Sequence, residues 1–198
     1  MTERGTIRLY MSMSLDGFIA GPDDSPDEPM GIGGFRLFNW LDRRNDPGPS
    51  GEVYTEMLTS RAVISGRRTY ELAGHWHGDH HDGVPILILT HDVPTDPAPD
   101  TVRFFTDAAE LAAYAREIVG DGMVAVMGAG SAQSLLAAGQ LDELELSVVP
   151  VLLGRGRRLF DHLPAGTVEL DLVRRLATPD TEDPHRHALH LRYRIRSR

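Results

Sequence analysis

Val124-Ala125-Val126-Met127-Gly128-Ala129-Gly130-Ser131 opens a stretch that continues through Ala132 to Ala138 and Gly139. It then reaches the alternating segment Leu144-Glu145-Leu146-Ser147-Val148-Val149-Pro150, followed by Gly154-Arg155-Gly156 and Leu159-Phe160. A short apolar strand enters small residues, these open a helix, a glycine stops it, and the chain returns as a second strand. Tiny side chains at the strand-to-helix turn let a ligand's phosphates approach the backbone. The helix N-terminus there presents unpaired N–H groups and a partial positive charge. Two readings of the turn stand side by side: a nucleotide site, or a tight connection with no ligand, since glycine serves wherever a chain bends sharply.

The remainder of the chain constrains the class of protein around this unit. Its 198 residues suit one domain, 1–198, with material for a full core, and 41% hydrophobic with 25% charged residues is ordinary for a globular chain. The net charge of −9, from 20 basic and 29 acidic residues, leaves no basic face for nucleic acid. The absence of cysteine excludes disulfides, thiolate catalysis and cysteine-ligated zinc. No stretch reaches membrane-span length and no apolar leader begins the chain, so a cytoplasmic location with no membrane partner is expected.

Upstream, Ile7, Leu9, Met11 and Met13 alternate with Arg8, Tyr10, Ser12 and Ser14, the pattern of a half-buried strand. Ser14 to Pro22 follows, then an Asp/Pro/Gly-rich loop from Asp23 to Gly34 that reads either as a lid or as plain surface. Phe35 to Leu41 and Glu52 to Ser60 are expected to be helical. Ala62-Val63-Ile64-Ser65 is a buried strand that enters Gly66-Arg67-Arg68-Thr69-Tyr70-Glu71. Two guanidinium groups at a helix start suit phosphate, because arginine stays charged and donates in a planar fork; a solvated face is the other reading. His75, His77, His80 and His81 crowd a polar loop around Trp76, where no second ligand motif at helical spacing supports a metal, so none is expected. Pro85 to Leu89 and Val102 to Phe105 read as strands. Asp107-x-x-Glu110 caps a helix with Leu111, Tyr114, Ala115 and Ile118 on its apolar face. Val168, Leu170 and Leu172 alternate with acidic residues, and Leu189, Leu191, Tyr193 and Ile195 with His190, Arg192, Arg194 and Arg196. Opposite charges on the two outer faces predict an antiparallel hairpin.

Strands alternating with helices, closed by that hairpin, predict an α/β fold of three layers: a mixed, mostly parallel central sheet with helices on both faces and an antiparallel C-terminal edge. Ser14 to Gly21, Gly66 to Glu71, Val126 to Gly130, and Leu141 through Pro150 with Gly154-x-Gly156 and Phe160 together resemble the dihydrofolate reductase-like family. Within it they are most similar to the reductase domain of riboflavin biosynthesis, the RibD C-terminal type. The resemblance spans nearly the whole chain with the motifs in the family's order.

It implies NADPH as cofactor. The Gly66-Arg67-Arg68-Thr69 helix start would hold cofactor phosphate, with Thr90 and His91 near the adenosine 2′-phosphate. The Gly128-Ala129-Gly130-Ser131 turn would take the pyrophosphate, and Met11, Ser12, Ile19 and Ala20 would flank the nicotinamide. Asp23 to Gly34 would be the lid. The implied activity is NADPH-dependent reduction of a small heterocyclic (pyrimidine- or pterin-like) or carbonyl substrate, like the 5-amino-6-(5-phosphoribosylamino)uracil reductase domain. An NADP(H)-binding protein of the same fold without reductase activity is the alternative. Arg155, Arg157 and Arg158 would either meet a substrate phosphate or decorate a hairpin tip. Gly128-Ala129-Gly130 departs from the consecutive glycines, sometimes with an unusual cis peptide, that members of the family often carry. The family's pterin-binding carboxylate has no clean counterpart among Ser50, Gly51 and Glu52, which leaves Glu52 and Asp16 as candidate catalytic acids. Each also reads as a structural residue, a helix N-terminal charge and a turn residue respectively. A homodimer is the oligomeric state the resemblance favours.

Overall fold

The computed structural model describes residues 4–161, 163, 166–178 and 183–196. Its centre is an eight-stranded sheet. In chain order the strands are β1 (Thr6–Ser14), β3 (Ala62–Gly66), β4 (Ile86–Leu89), β5 (Val102–Phe105), β6 (Met123–Met127), β7 (Glu143–Val149), β9 (Leu170–Ala177) and β10 (Leu189–Ile195). The spatial order is β5-β4-β3-β6-β1-β7-β10-β9. From β5 to β7 every pairing is parallel, and β10 joins β7 and β9 antiparallel, which gives the expected closing hairpin. A separate two-stranded sheet, not foreseen from the sequence, pairs β2 (Phe18–Ala20) with β8 (Arg157–Arg158).

Helices α1 (Pro49–Met57), α2 (Arg67–Leu72), α3 (Ala108–Val119) and α4 (Ala129–Ala137) cover the sheet. One face packs Ile7, Leu9, Ile64, Val126, Leu144 and Leu146 against α3 and α4. Asp107 caps α3 as expected, its side chain accepting from the N–H groups of Ala109 and Glu110. Ile118, however, is 39% exposed, and Ala112 and Val119 join Leu111 and Ala115 inward instead. The other face carries α1 and a 3-10 segment, Gly34–Arg43, whose Leu37 and Trp40 pack with Tyr10, Val53 and Val149. The helix expected from Glu52 begins earlier, at Pro49, because proline suits the first helical turn.

The second face corrects the sequence expectation for the strands that flank the centre. Arg8, Tyr10 and Ser12 on β1, and His190 and Arg192 on β10, occupy the polar side of alternating patterns. Tyr10, Ser12, His190 and Arg192 are nonetheless buried. The register aligns Arg8, Glu143 and Arg194 in one cross-strand row, Tyr10, Glu145 and Arg192 in the next, and Ser12, Ser147 and His190 in the third. Strand alternation shows which residues share a face; it does not show that a helix covers that face. The outer strand β9 is the reverse case, with Leu170, Leu172 and Val173 exposed. No helix among the described residues is long and apolar enough to cross a membrane.

Candidate functional site

In an open α/β sheet, ligands bind beyond the carboxyl ends of the parallel strands, and here those ends frame one cavity of about 920 Å³. Met11 and Ser12 come from β1, Gly66 from β3, Thr90 and His91 from the end of β4, and Met127 from β6. Ile19 and Ala20 of β2 line it, as do Arg67, Arg68 and Thr69 of α2 and Gly128, Ala129, Gly130 and Ser131 at the head of α4. Every residue that the family resemblance assigned to a cofactor therefore faces the same space.

The two helix starts lie side by side: a methyl group on Gly66 would sit 3.7 Å from the Ser131 nitrogen. Neither carries a side-chain cap, so their first-turn N–H groups have no acceptor of the usual kind. Gly128 (φ 91°, ψ 149°) occupies backbone space that only glycine enters freely. An added Cβ there would also overlap Thr69 Oγ1, whereas at Gly130 it would meet nothing within 4 Å. The Gly128–Ala129 peptide is trans. Of the arginine pair, Arg67 donates to Glu71 Oε1 at 2.6 Å, and Arg68 donates to Asp24 Oδ2 at 2.9 Å. Thr90 Oγ1 donates to the Asp92 carbonyl at 2.9 Å, and His91 is exposed.

The loop from Asp23 to Gly34 is built, not loose. Gly21 N–H donates to the Met30 carbonyl at 2.8 Å and Ile32 N–H to the Pro22 carbonyl at 2.9 Å, closing a compact loop that places Pro29 and Met30 on the cavity. Asp24 ties it down by pairing with both Arg68 and Arg157. The Arg68 hydrogen bond outweighs the effect of burial and holds the Asp24 carboxyl below the usual carboxylate range. Gly21 has no space for a side chain, because a Cβ would overlap the Ile32 carbonyl. Gly21→Ala is therefore expected to displace the loop and to make the Asp23–Gly34 segment the earliest site of limited proteolysis. A cleavage pattern unchanged from the parent would remove the loop from the site's architecture.

Beneath the loop the cavity becomes apolar and aromatic, with Phe38, Trp40, Val53, Tyr54 and Met57 around Tyr10. Its floor is polar. Trp40 Nε1 donates to Ser12 Oγ at 2.8 Å, and Ser147 Oγ lies 2.8 Å from His190 Nδ1. Burial, helped by the nearby Arg174 charge, pushes His190 down to about 4, so its ring is neutral near pH 7. Next to it Glu145 Oε2 accepts from Arg192 at 2.6 Å and from Arg174 at 3.0 Å.

The family model of the RibD C-terminal domain matches residues 5–180. This chain belongs to the RibD C-terminal domain family. A relative, the uncharacterized protein YwjB of Bacillus subtilis (strain 168), is 30% identical over 172 residues, 81% of this chain and 85% of that protein. A putative riboflavin biosynthesis protein from Shewanella sp. PV-4 superposes with a TM-score of 0.71 at 18% identity, over 97% of this chain and 99% of the other. Dihydrofolate reductase from Enterococcus faecalis, solved with NADP(H) and RAB-propyl, gives 0.64 at 16% identity over the full length of both. The fold is dihydrofolate reductase-like, with a mostly parallel eight-stranded sheet and the additional β2–β8 pair.

Within this RibD C-terminal scaffold the two candidate acids stand apart from the cavity. Glu52 is exposed on α1 and pairs with Arg174 at 3.0 Å. Asp16 accepts from Ser14 Oγ at 2.6 Å, from Leu153 N–H at 3.1 Å and from Gly154 N–H at 2.7 Å. The Ser14 bond, ahead of the opposing effect of burial, lowers its pKa; its work is to pin the loop after β7. Glu145, by contrast, is a carboxylate that does line the cavity. Its signal in the sequence is a polar position in a strand of alternating pattern, which does not by itself tell a covered face from an open one.

Among the three arginines near the β8 hairpin, Arg157 alone lines the cavity, and it is held by Asp24; Arg158 lies 4.3 Å over the Phe18 ring. The histidine-rich loop is a left-handed turn at His75, Trp76 and His77, and among the described residues no three acidic or histidine side chains converge as metal ligands would. His80 and His81 instead face one another, Nδ1 to Nδ1, at 2.7 Å.

Proposed function

We propose that this chain is an NADPH-dependent reductase of a small heterocyclic (pyrimidine- or pterin-like) or carbonyl substrate. The observation that carries the reading is one continuous cavity that joins two uncapped helix N-termini to an aromatic chamber. The residues present suit a phosphate-rich cofactor. Open N–H groups at α4, the space at Gly130, and Arg67 on the cavity lining offer donors and positive charge at one end. NADPH, when bound, would supply hydride. Gly128 to Ser131 would hold its pyrophosphate, Gly66 to Thr69 with Thr90 and His91 its adenosine phosphate, and Met11, Ser12, Ile19 and Ala20 its nicotinamide. Pro29 and Met30 of the closed loop exclude water from the reacting end. Since Glu52 and Asp16 lie off the cavity, the proton would come from water.

Trp40 and Trp76 both line the cavity, so intrinsic fluorescence reports occupancy. NADPH is expected to bind about tenfold or more tightly than NADH, and Gly128→Ala to weaken it by about tenfold, consistent with ~1–3 kcal/mol of backbone strain. Binding of neither nucleotide would refute the assignment. Because neither Glu52 nor Asp16 lines the cavity, a second reading is an NADP(H)-binding protein without turnover. Oxidation of bound NADPH by dihydrofolate, aminopyrimidines, quinones or ketones separates the two.

A further inference from the structure

His80 belongs to the histidine-rich loop and Met127 to the end of β6, 47 residues further along the chain, and the fold sets His80 Nε2 3.3 Å from Met127 Sδ. The protons on the neighbouring rings follow from one fixed point. His81 Nε2 lies 3.1 Å from the Ser60 carbonyl, which can only accept, so the neutral His81 ring carries its proton there. The Ser60 hydroxyl is the more distant contact, at 3.4 Å. His81 Nδ1 is then a bare acceptor, and it faces His80 Nδ1 at 2.7 Å. His80 must donate from Nδ1, which leaves a lone pair on its Nε2. The Met127 thioether has no proton to give. Two electron-pair donors, one nitrogen and one sulfur, thus face each other at 3.3 Å with no hydrogen between them.

We propose that His80 Nε2 and Met127 Sδ are the protein ligands of a soft monovalent cation of the copper(I) class. The site is independent of the reductase reading. Thioether sulfur selects soft ions, and imidazole suits copper as well as zinc. Ligand bonds of about 2.0 Å to nitrogen and 2.3 Å to sulfur close a triangle on the 3.3 Å edge with an angle of about 100° at the ion, which suits a three- or four-coordinate centre. Behind the ligand, His80 Nδ1–H donates to His81 and His81 Nε2–H to a backbone carbonyl, the kind of chain that fixes the tautomer and orientation of a metal-binding imidazole. The Trp76 ring meets the His80 ring edge-to-face at 4.9 Å and walls the pair with an aromatic surface. Both ligands are half-buried, and Met127 also lines the large cavity, which gives an ion its entry path. Zinc is disfavoured, since among the described residues no third histidine or carboxylate converges there. The loop's own sequence hides the site because the second ligand is a methionine on a distant strand.

The test titrates the full chain with silver(I), an air-stable ion of the same class, in chloride-free buffer near neutral pH. Tryptophan fluorescence reports uptake, because Trp76 touches the ligand ring. The parent is expected to saturate at a single equivalent and to bind zinc(II) about tenfold or more weakly. Met127→Leu, which keeps the side-chain volume, and His80→Gln are each expected to weaken silver(I) binding by about tenfold or more. His77→Gln, at an exposed position of the same loop, is expected to bind as the parent does. No saturable uptake by the parent, or tighter uptake of zinc(II) than of silver(I), would overturn the proposal. So would an unchanged affinity in Met127→Leu, which would assign the uptake to the exposed histidines His75 and His77. Met127→Leu decides alone if His80→Gln does not fold.

Discussion

Arg192→Met is expected to destabilise the protein by about 3–5 kcal/mol, because it leaves a buried carboxylate without its closest counter-charge. The Arg192 side chain is 9% exposed and bonds Glu145 through Nε and Glu56 through both terminal nitrogens. Glu145, at 1% exposed, cannot recover its lost partner from water. At roughly 2–4 °C per kcal/mol for a chain of this size, the melting temperature should fall by about 10 °C. Arg194→Met is the internal control. That side chain is 63% exposed and meets Glu143 at 3.2 Å, so its loss should cost less than about 1 kcal/mol. Urea unfolding of the three proteins decides the matter; equal midpoints for the two variants would mean that the buried charges contribute nothing specific.

Acid should unfold the protein in two stages. His190 is fully buried and its pKa is pushed down by that burial, then by Arg174, from 6.5 to about 4. Between those values the unfolded chain binds a proton that the folded chain does not, so stability falls as pH is lowered from about 6.5 to 4, by up to about 3 kcal/mol. His80 is shifted the same way, by burial and then by the His81 charge, also to about 4, and adds to the same window. Glu56 governs the second stage. Burial alone would raise its carboxyl, but Arg192, with Arg174 and Arg8, outweighs burial and holds it at about 2 against an ordinary 4.5. Its contribution is present above 4.5 and is lost as pH falls through about 2. In a His80→Gln background, His190→Gln should flatten the slope between pH 6.5 and 4 and leave the lower stage intact. An unaltered upper slope would show that His190 is not the group responsible.

The parts of this structure that were legible in the sequence are those in which local pattern and tertiary role coincide. Val124–Met127 is apolar throughout because both faces of a central parallel strand are covered. The glycine after it and the capped start at Asp107 mark helix ends by their own backbone chemistry. The Gly66 and Gly128 turns, distant in the chain, were expected to meet, and Ser131 does pack beside Gly66. The unread parts depend on what lies above a strand. Alternation on β1 and β10 marks one polar face, yet α1 and the Gly34–Arg43 segment lie over it, and charge pairing makes that burial tolerable. Glu145 was hidden for that reason. The β2–β8 pairing was also illegible, since two residues of Arg157–Arg158 carry no strand pattern of their own.

The cross-strand rows on β1, β7 and β10 have a consequence for how this chain can change. The same acidic side chain, Glu145, holds Arg174 and Arg192 in an ionic lattice and lines the cavity. Replacing it to admit a new compound would therefore also loosen the sheet, and compensating changes at Arg174 or Arg192 would have to accompany it. Divergence toward other ligands is easier along the wall formed by Phe38, Tyr54 and Met57, where side chains exchange without stranding a charge. Lineages descended from this architecture should vary there first and hold the ionic rows together as a block.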